Sequence, residues 1–285
     1  MGYTLTGLAT EEKVFILMGK SGNGKGTVMG LMQNLLGSYA VSVPPNLLTQ
    51  AYSGNPNASS SALMRLRGAR MILCTELKAE KFDEAFFKQL SGGDALAGRD
   101  NYAQQTEFMP VGKMWLSAND DPDISIEAEA MWRRILVLPF DASFAASMDT
   151  TLKTRLALER PGVLNLMIRA AKAYLNARED VTKVDGQHVT GLRESVAVAD
   201  ATSALRLRSD SVLNWLTDCC KDSKSGVLQS SIAYKSYTRF SKANGKQPIG
   251  QRVFKRALSD KGYAWKKGND FNGFVGLRLS ETARS

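Results

Sequence analysis

The 285-residue sequence predicts an α/β fold: a parallel sheet core built around a P-loop, followed by a C-terminal winged-helix domain. Three observations carry that prediction. Four short apolar runs are separated by helical patterns and long crossovers, the connections that parallel strands require. A glycine-rich loop joins the first run to the first helical pattern. Near Asp210 the pattern changes to three helical stretches and a hairpin.

The apolar runs Val14 to Met18, Met71 to Thr75, Met114 to Ser117 and Ile135 to Phe140 each end at polar or glycine-rich residues and read as buried strands. Between the first two, Val28, Leu31, Met32, Leu35 and Leu36 fall on one helix face, and Gly37 is a natural stop. Residues 150–177 read as helical, with Pro161 opening a second helix. The polar stretch 178–202, with Gly186 and Gly191, reads as a connection. Helices follow at 211–220, 230–243 and 249–261, then the hairpin 263–267 and 274–279. The predicted domains are a P-loop core at 1–145, a helical extension and linker at 146–205, and a winged helix at 206–285.

The formal net charge is +9. From Arg206 to Arg278 there are 15 basic and 5 acidic residues, whereas the rest has 22 basic and 23 acidic. The whole excess sits in the C-terminal segment, where concentrated positive charge attracts a polyphosphate backbone. Cys74, Cys219 and Cys220 suit neither a disulfide framework nor a metal cage, which points to a reducing, cytoplasmic setting. His188 is the one histidine, so histidine metal sites and Ser-His-Asp catalysis are excluded. No apolar run approaches the ~20 residues a membrane helix needs, and no membrane partner is expected.

The loop Gly19-Lys20-Ser21-Gly22-Asn23-Gly24-Lys25-Gly26-Thr27 lies between a predicted strand and a predicted helix. Its glycines let backbone N–H groups curl around the phosphates of ATP, and Lys25 neutralises the β- and γ-phosphates. The usual Ser or Thr after the lysine, a Mg²⁺ ligand, is here Gly26, and the neighbouring Thr27 is expected to take its place. Glu76 ends a strand, where an acid helps to hold Mg²⁺ and orient the attacking water. Asn119 also ends a strand; its amide suits the γ-phosphate, and it equally suits the start of the turn to Pro122. Arg133 and Arg134 read either as a surface pair or as an arginine finger for a neighbouring subunit, with Arg134 the first choice. Lys88, Arg99 and Tyr102 flank a Gly92-Gly93 turn and suit a loop or hairpin meeting single-stranded DNA, or an ordinary turn. In the predicted recognition helix, Arg252, Lys255 and Arg256 share a face opposite Ile249, Val253, Phe254, Ala257 and Leu258. Lys266 and Lys267 sit in the predicted wing. This arrangement serves DNA, or docking on another protein.

Taken together, the segments Gly22 to Lys25, Leu66 to Arg70 with Glu76, Lys88 to Asp94 with Arg99, Asn119 with Pro122, Trp132 to Phe140 and Glu159 to Asn165 resemble a superfamily-three helicase. The similarity is to the poxvirus and phage or plasmid primase-helicase type, in the AAA+ class, and covers about residues 2–175. The resemblance implies a hexameric ring, ATP sites between subunits, and translocation on single-stranded or forked DNA in a bacterial or virus-infected cell. The primase and helical collar of longer relatives fall outside this chain, which fits either a fragment of a longer primase-helicase or a small mobile-element helicase that works with a separate primase as partner. An ATP-switched initiator and a small-molecule P-loop kinase are the alternatives to a DNA-unwinding ATPase.

Overall fold

All four apolar runs become parallel strands of one sheet, because each carries apolar side chains toward both faces and so must be covered on both. The computed structural model describes residues 1–49, 61–77, 82–99, 104–126, 128–144, 146–147, 149–179, 191–268 and 272–280. The chain forms two units, 1–206 and 207–285.

In the first unit the elements run α1 (Gly2–Leu5), β1 (Val14–Met18), α2 (Lys25–Leu36), β2 (Ala40–Ser42), α3 (Ser61–Met64), β3 (Met71–Leu77) and α4 (Glu84–Gly92). Then follow β4 (Leu96–Gly98), β5 (Thr106–Phe108), β6 (Lys113–Ala118), α5 (Glu129–Trp132), β7 (Ile135–Pro139), α6 (Leu152–Leu158), α7 (Arg160–Glu179) and α8 (Val196–Ser209). The sheet order is β2-β3-β6-β1-β7, all parallel, and β4 pairs with β5 as a separate antiparallel ribbon. Alternation along β1 divides the core. Val14 and Ile16 join Phe87, Leu90 and Trp132 on one face, while Phe15 and Leu17 join Met29, Met32 and Tyr174 on the other.

Elements β2 and α8 are among those that the sequence did not announce. The edge strand β2 is too short for its period to show. Helix α8 occupies part of the stretch read as a connection. Its alanines and hydroxyl residues make a faint pattern, yet Leu205 is fully buried, and the Thr202 hydroxyl accepts from the Val137 amide of β7 at 3.0 Å.

At the amino end of the sheet, Lys113 is buried against the Tyr3 ring and donates to the carbonyls of Thr6 and Val111. Burial, and then the charge of Arg70, push its pKa down to about 7.

The second unit runs α9 (Ser211–Cys219), β8 (Cys220–Gln229), α10 (Ser230–Ala243), α11 (Gln251–Asp260), β9 (Trp265–Lys267) and β10 (Asn272–Leu279). The three helices and the hairpin stand where the sequence put them. Strand β8 was not foreseen, because its middle is polar. It forms because its ends face the core and pair antiparallel with β10, Cys220 opposite Leu279 and Leu228 opposite Phe274. The core is aromatic: Tyr237 stacks on Phe254 at 4.6 Å between centroids, and Trp215 meets Phe254 edge-on at 5.4 Å.

Candidate functional site

The candidate site lies along the carboxyl edge of the parallel sheet. Met18 pairs with Ala118 on one side and Pro139 on the other, and Leu77 pairs with Ala118. The glycine-rich loop after β1, Asn119 after β6, and Glu76 near the end of β3 therefore share that edge, where neighbouring strands are ~4.8 Å apart. The β3–β6 register slips between Cys74 and Leu77, and bulges of this kind concentrate beside active sites. The side chain of Glu76 lies outside the described residues. Asn119 is exposed.

Gly19, Gly22 and Gly24 of the loop have positive φ. At Gly19 the need is double, since a Cβ there would lie 2.3 Å from the Phe140 carbonyl oxygen. Gly24 caps the start of α2 without a side-chain bond, and Ser21 is exposed. Asn23 is buried and donates its amide to the Phe140 carbonyl at 2.6 Å. The Phe144 amide donates to the Gly22 carbonyl at 3.0 Å, and its exposed ring lies over Gly24. The chain after β7 thus clasps the loop. Sequence reading missed Phe144, and the only signal was the short span after Pro139-Phe140.

Lys25 is 5% exposed and turns its ammonium into the loop, donating to the carbonyls of Gly19 and Lys20 and to Asn23 Oδ1. Desolvation lowers its pKa. Gly26 is exposed, and a Cβ there would meet nothing within 4 Å. Thr27 is half-buried. It lines a cavity of about 170 Å³ between α2 and α6–α7, together with Gly26, Gly30, Leu156, Ala157 and Arg160. No sequence pattern marked that cavity. Among the described residues no group of three His, Cys, Asp or Glu side chains is placed to hold a metal.

Arg133 and Arg134 are at the opposite edge of the sheet. The Arg134 carbonyl accepts from the amide of Val14, the first residue of β1. The five residues of β1 put about 16 Å between that edge and the loop. The Arg134 side chain is 7% exposed, pairs with Glu12, and donates to the Ala130 carbonyl at 2.6 Å. Arg133 is 66% exposed and only 3.5 Å from Glu12. The arginine facing outward is Arg133, because Glu12 and the Ala130 carbonyl hold Arg134 inside.

Lys88 is half-buried in α4, and Arg99 is exposed just after β4, at the end of the β4–β5 ribbon. Tyr102 lies outside the described residues. In the second unit, Phe254 and Leu258 of α11 are buried while Arg252 and Arg256 are exposed. Lys255 stands over the Trp265 ring, 3.2 Å from its centroid. Lys266 and Lys267 of β9 are exposed. No described helix is long and apolar enough to cross a membrane.

Two family models match the chain: a family of unknown function, DUF5906, over residues 17–134, and the poxvirus D5 protein-like family over residues 207–278. A helicase-named protein of Acanthamoeba polyphaga mimivirus is 32% identical over 152 residues, which is 53% of this chain and 16% of that protein. One of Invertebrate iridescent virus 3 is 31% identical over 135 residues, 45% of this chain and 14% of its own length. One of Sputnik virophage is 25% identical over 155 residues, 52% of this chain and 20% of its own. This chain therefore spans a fifth or less of these relatives' lengths. The apo structure of the NrS-1 C-terminal region superposes with a TM-score of 0.43 at 13% identity, over 97% of this chain and 71% of that one, a likeness too loose to argue from. The C-terminal unit is thus similar to the poxvirus D5 protein-like family, and the chain is similar to segments of several helicase-named viral proteins, in line with the primase-helicase type that its motifs resemble.

Proposed function

We propose that this chain is the ATP-hydrolysing motor segment of a DNA helicase that serves the replication of a virus, phage or mobile element. The observation that carries the proposal is the split of the chemistry between the two edges of one sheet. The loop with Lys25, together with Glu76 and Asn119, lies at the carboxyl edge, and Arg133 lies about 16 Å away at the other. An arginine so placed is out of reach of its own subunit's nucleotide. It serves the nucleotide of a neighbouring copy, which favours an assembly with sites between subunits.

In this reading the loop amides and the start of α2 receive the phosphates of ATP, whose negative charge the N-terminal end of a helix favours. The Lys25 ammonium exchanges the carbonyls of Gly19 and Lys20 for phosphate oxygens. The cavity beside Gly26 and Thr27 gives the rest of the nucleotide an apolar wall in Leu156 and Ala157. Mg²⁺ would be held by the Glu76 carboxylate and, through a bridging water, by the Thr27 hydroxyl, and would supply neutralisation of phosphate charge. Glu76 orients the attacking water, Asn119 holds the γ-phosphate, and Arg133 from the neighbour stabilises the charge of the transition state. DNA is met by Lys88, Arg99 and Tyr102 in the first unit. In the second unit, which we read as a winged helix, it is met by Arg252, Lys255, Arg256, Lys266 and Lys267.

Strand displacement from a forked duplex tests this. The proposal expects ATP-dependent release of the strand. Binding of the fork with no release at any ATP concentration points to the initiator reading. Phosphoryl transfer to a small molecule, indifferent to DNA, points to the kinase reading.

A further inference from the structure

The second unit carries a concave basin that adjoins the exposed face of α11. It measures about 600 Å³ and is bordered by Ser230 and Ser231 at the start of α10, by Arg252 and Lys255 on α11, and by Trp265 and Asn272 on β9 and β10. That volume is within the range of about 300–1,000 Å³ typical of small-ligand sites. Its α11 wall carries two cations, its β9 wall an indole, and among the described residues none of its lining is acidic. Neither α10 nor α11 has a side-chain N-cap bond, so the partial positive ends of both helices add to the field of Arg252 and Lys255.

We infer that this basin binds one unpaired nucleotide of DNA, with its phosphate between Arg252 and the Ser230–Ser231 end of α10 and its base stacked on Trp265. This rests on the reading of the second unit as DNA-binding. A paired base has both faces covered by its neighbours in the stack, so a duplex presents no free face to an indole that lines a concavity. A splayed or single-stranded base does. The convex, exposed Arg252–Arg256 face of α11 suits duplex phosphates; the basin beside it suits the first nucleotide past the end of the duplex. Lys255 already occupies the Trp265 ring as a cation. When a base takes the ring, the ammonium shifts to the adjoining phosphate, so the site remains charge-matched in both states.

The full chain is titrated with a blunt duplex and with the same duplex bearing a short single-stranded tail, following affinity and tryptophan fluorescence. Two variants are compared. Trp265→Leu removes the stacking face. Ser231→Asp places a carboxylate at an exposed first-turn position, which suits a helix N-terminus and so spares the fold, but repels phosphate. The expected result is tighter binding of the tailed duplex by about fivefold or more, with quenching that Trp265→Leu abolishes. Both variants bring tailed and blunt affinities together. Equal affinity of the unmodified chain for the two duplexes, or a preference that survives both substitutions, overturns the inference while leaving duplex binding by α11 intact. Absence of any DNA binding overturns the DNA-binding reading itself.

Discussion

Replacing Arg134 by alanine should cost stability before it costs anything else. The substitution strips Glu12 of a close partner and leaves the Ala130 carbonyl without its guanidinium donor. Breaking a buried pair costs about 3–5 kcal/mol, but Glu12 is 40% exposed and regains water, which brings the expectation down to about 2–3 kcal/mol. In a unit of this size that lowers Tm by about 4–12 °C. Arg133, 66% exposed and at 3.5 Å from the same carboxylate, contributes no more than about 0.5 kcal/mol. Thermal and urea melts of the two variants should separate them clearly, and ATPase assays should separate them the other way. Arg133→Ala melts like the parent yet hydrolyses ATP at least about tenfold more slowly. A stable Arg134→Ala protein without ATPase activity would refute the reasoning and make Arg134 the finger.

The glycines of the loop should behave unequally. Gly19→Ala drives a Cβ into the Phe140 carbonyl and Asn23 and should abolish nucleotide binding, whereas Gly26→Ala meets open space and should fold and melt as the parent does; nucleotide titrations and melts of both check this. Lys113 makes stability depend on pH. Its folded pKa is about 7 against an ordinary 10.5, so between those values the unfolded chain binds the extra proton and stability rises with pH, by at most about 1.4 kcal/mol per unit. Below pH 7 both states are protonated and the cost of burying the charge is fully present; urea titrations from neutral to mildly alkaline pH should show the rise, and Lys113→Met should lose it. Changing Arg252, Lys255 and Arg256 together to alanine should weaken duplex binding and flatten its salt dependence, because fewer counterions are released. An unchanged slope in a salt titration would move α11 from DNA to a protein partner.

The strand–loop–helix unit was legible because buried parallel strands read as unbroken apolar runs and the loop between them is punctuated by glycines. The helices of the second unit were legible for a related reason: Val253, Phe254, Ala257 and Leu258 repeat at helical spacing. What escaped depends on distant partners. Nothing local distinguishes Arg134 from Arg133; the carboxylate that holds Arg134 inside belongs to Glu12, distant in sequence and brought close only because β1 pairs with β7. Strand β8 is recruited by its pairing with β10 rather than by its own composition. Helix α8 is anchored by Leu205 and by the Thr202 hydroxyl rather than by a broad apolar stripe. The clasp of Phe140 and Phe144 over the loop is made largely by backbone groups, which every sequence has.

The central claim is that Lys25 and its loop drive ATP hydrolysis coupled to single-stranded DNA. The most direct test is steady-state ATP turnover of the full chain with and without single-stranded DNA, beside Lys25→Ala. The account predicts turnover that single-stranded DNA raises severalfold, and that falls to background in Lys25→Ala with or without DNA. Undiminished turnover in Lys25→Ala, or turnover in the parent chain that ignores DNA, would contradict it.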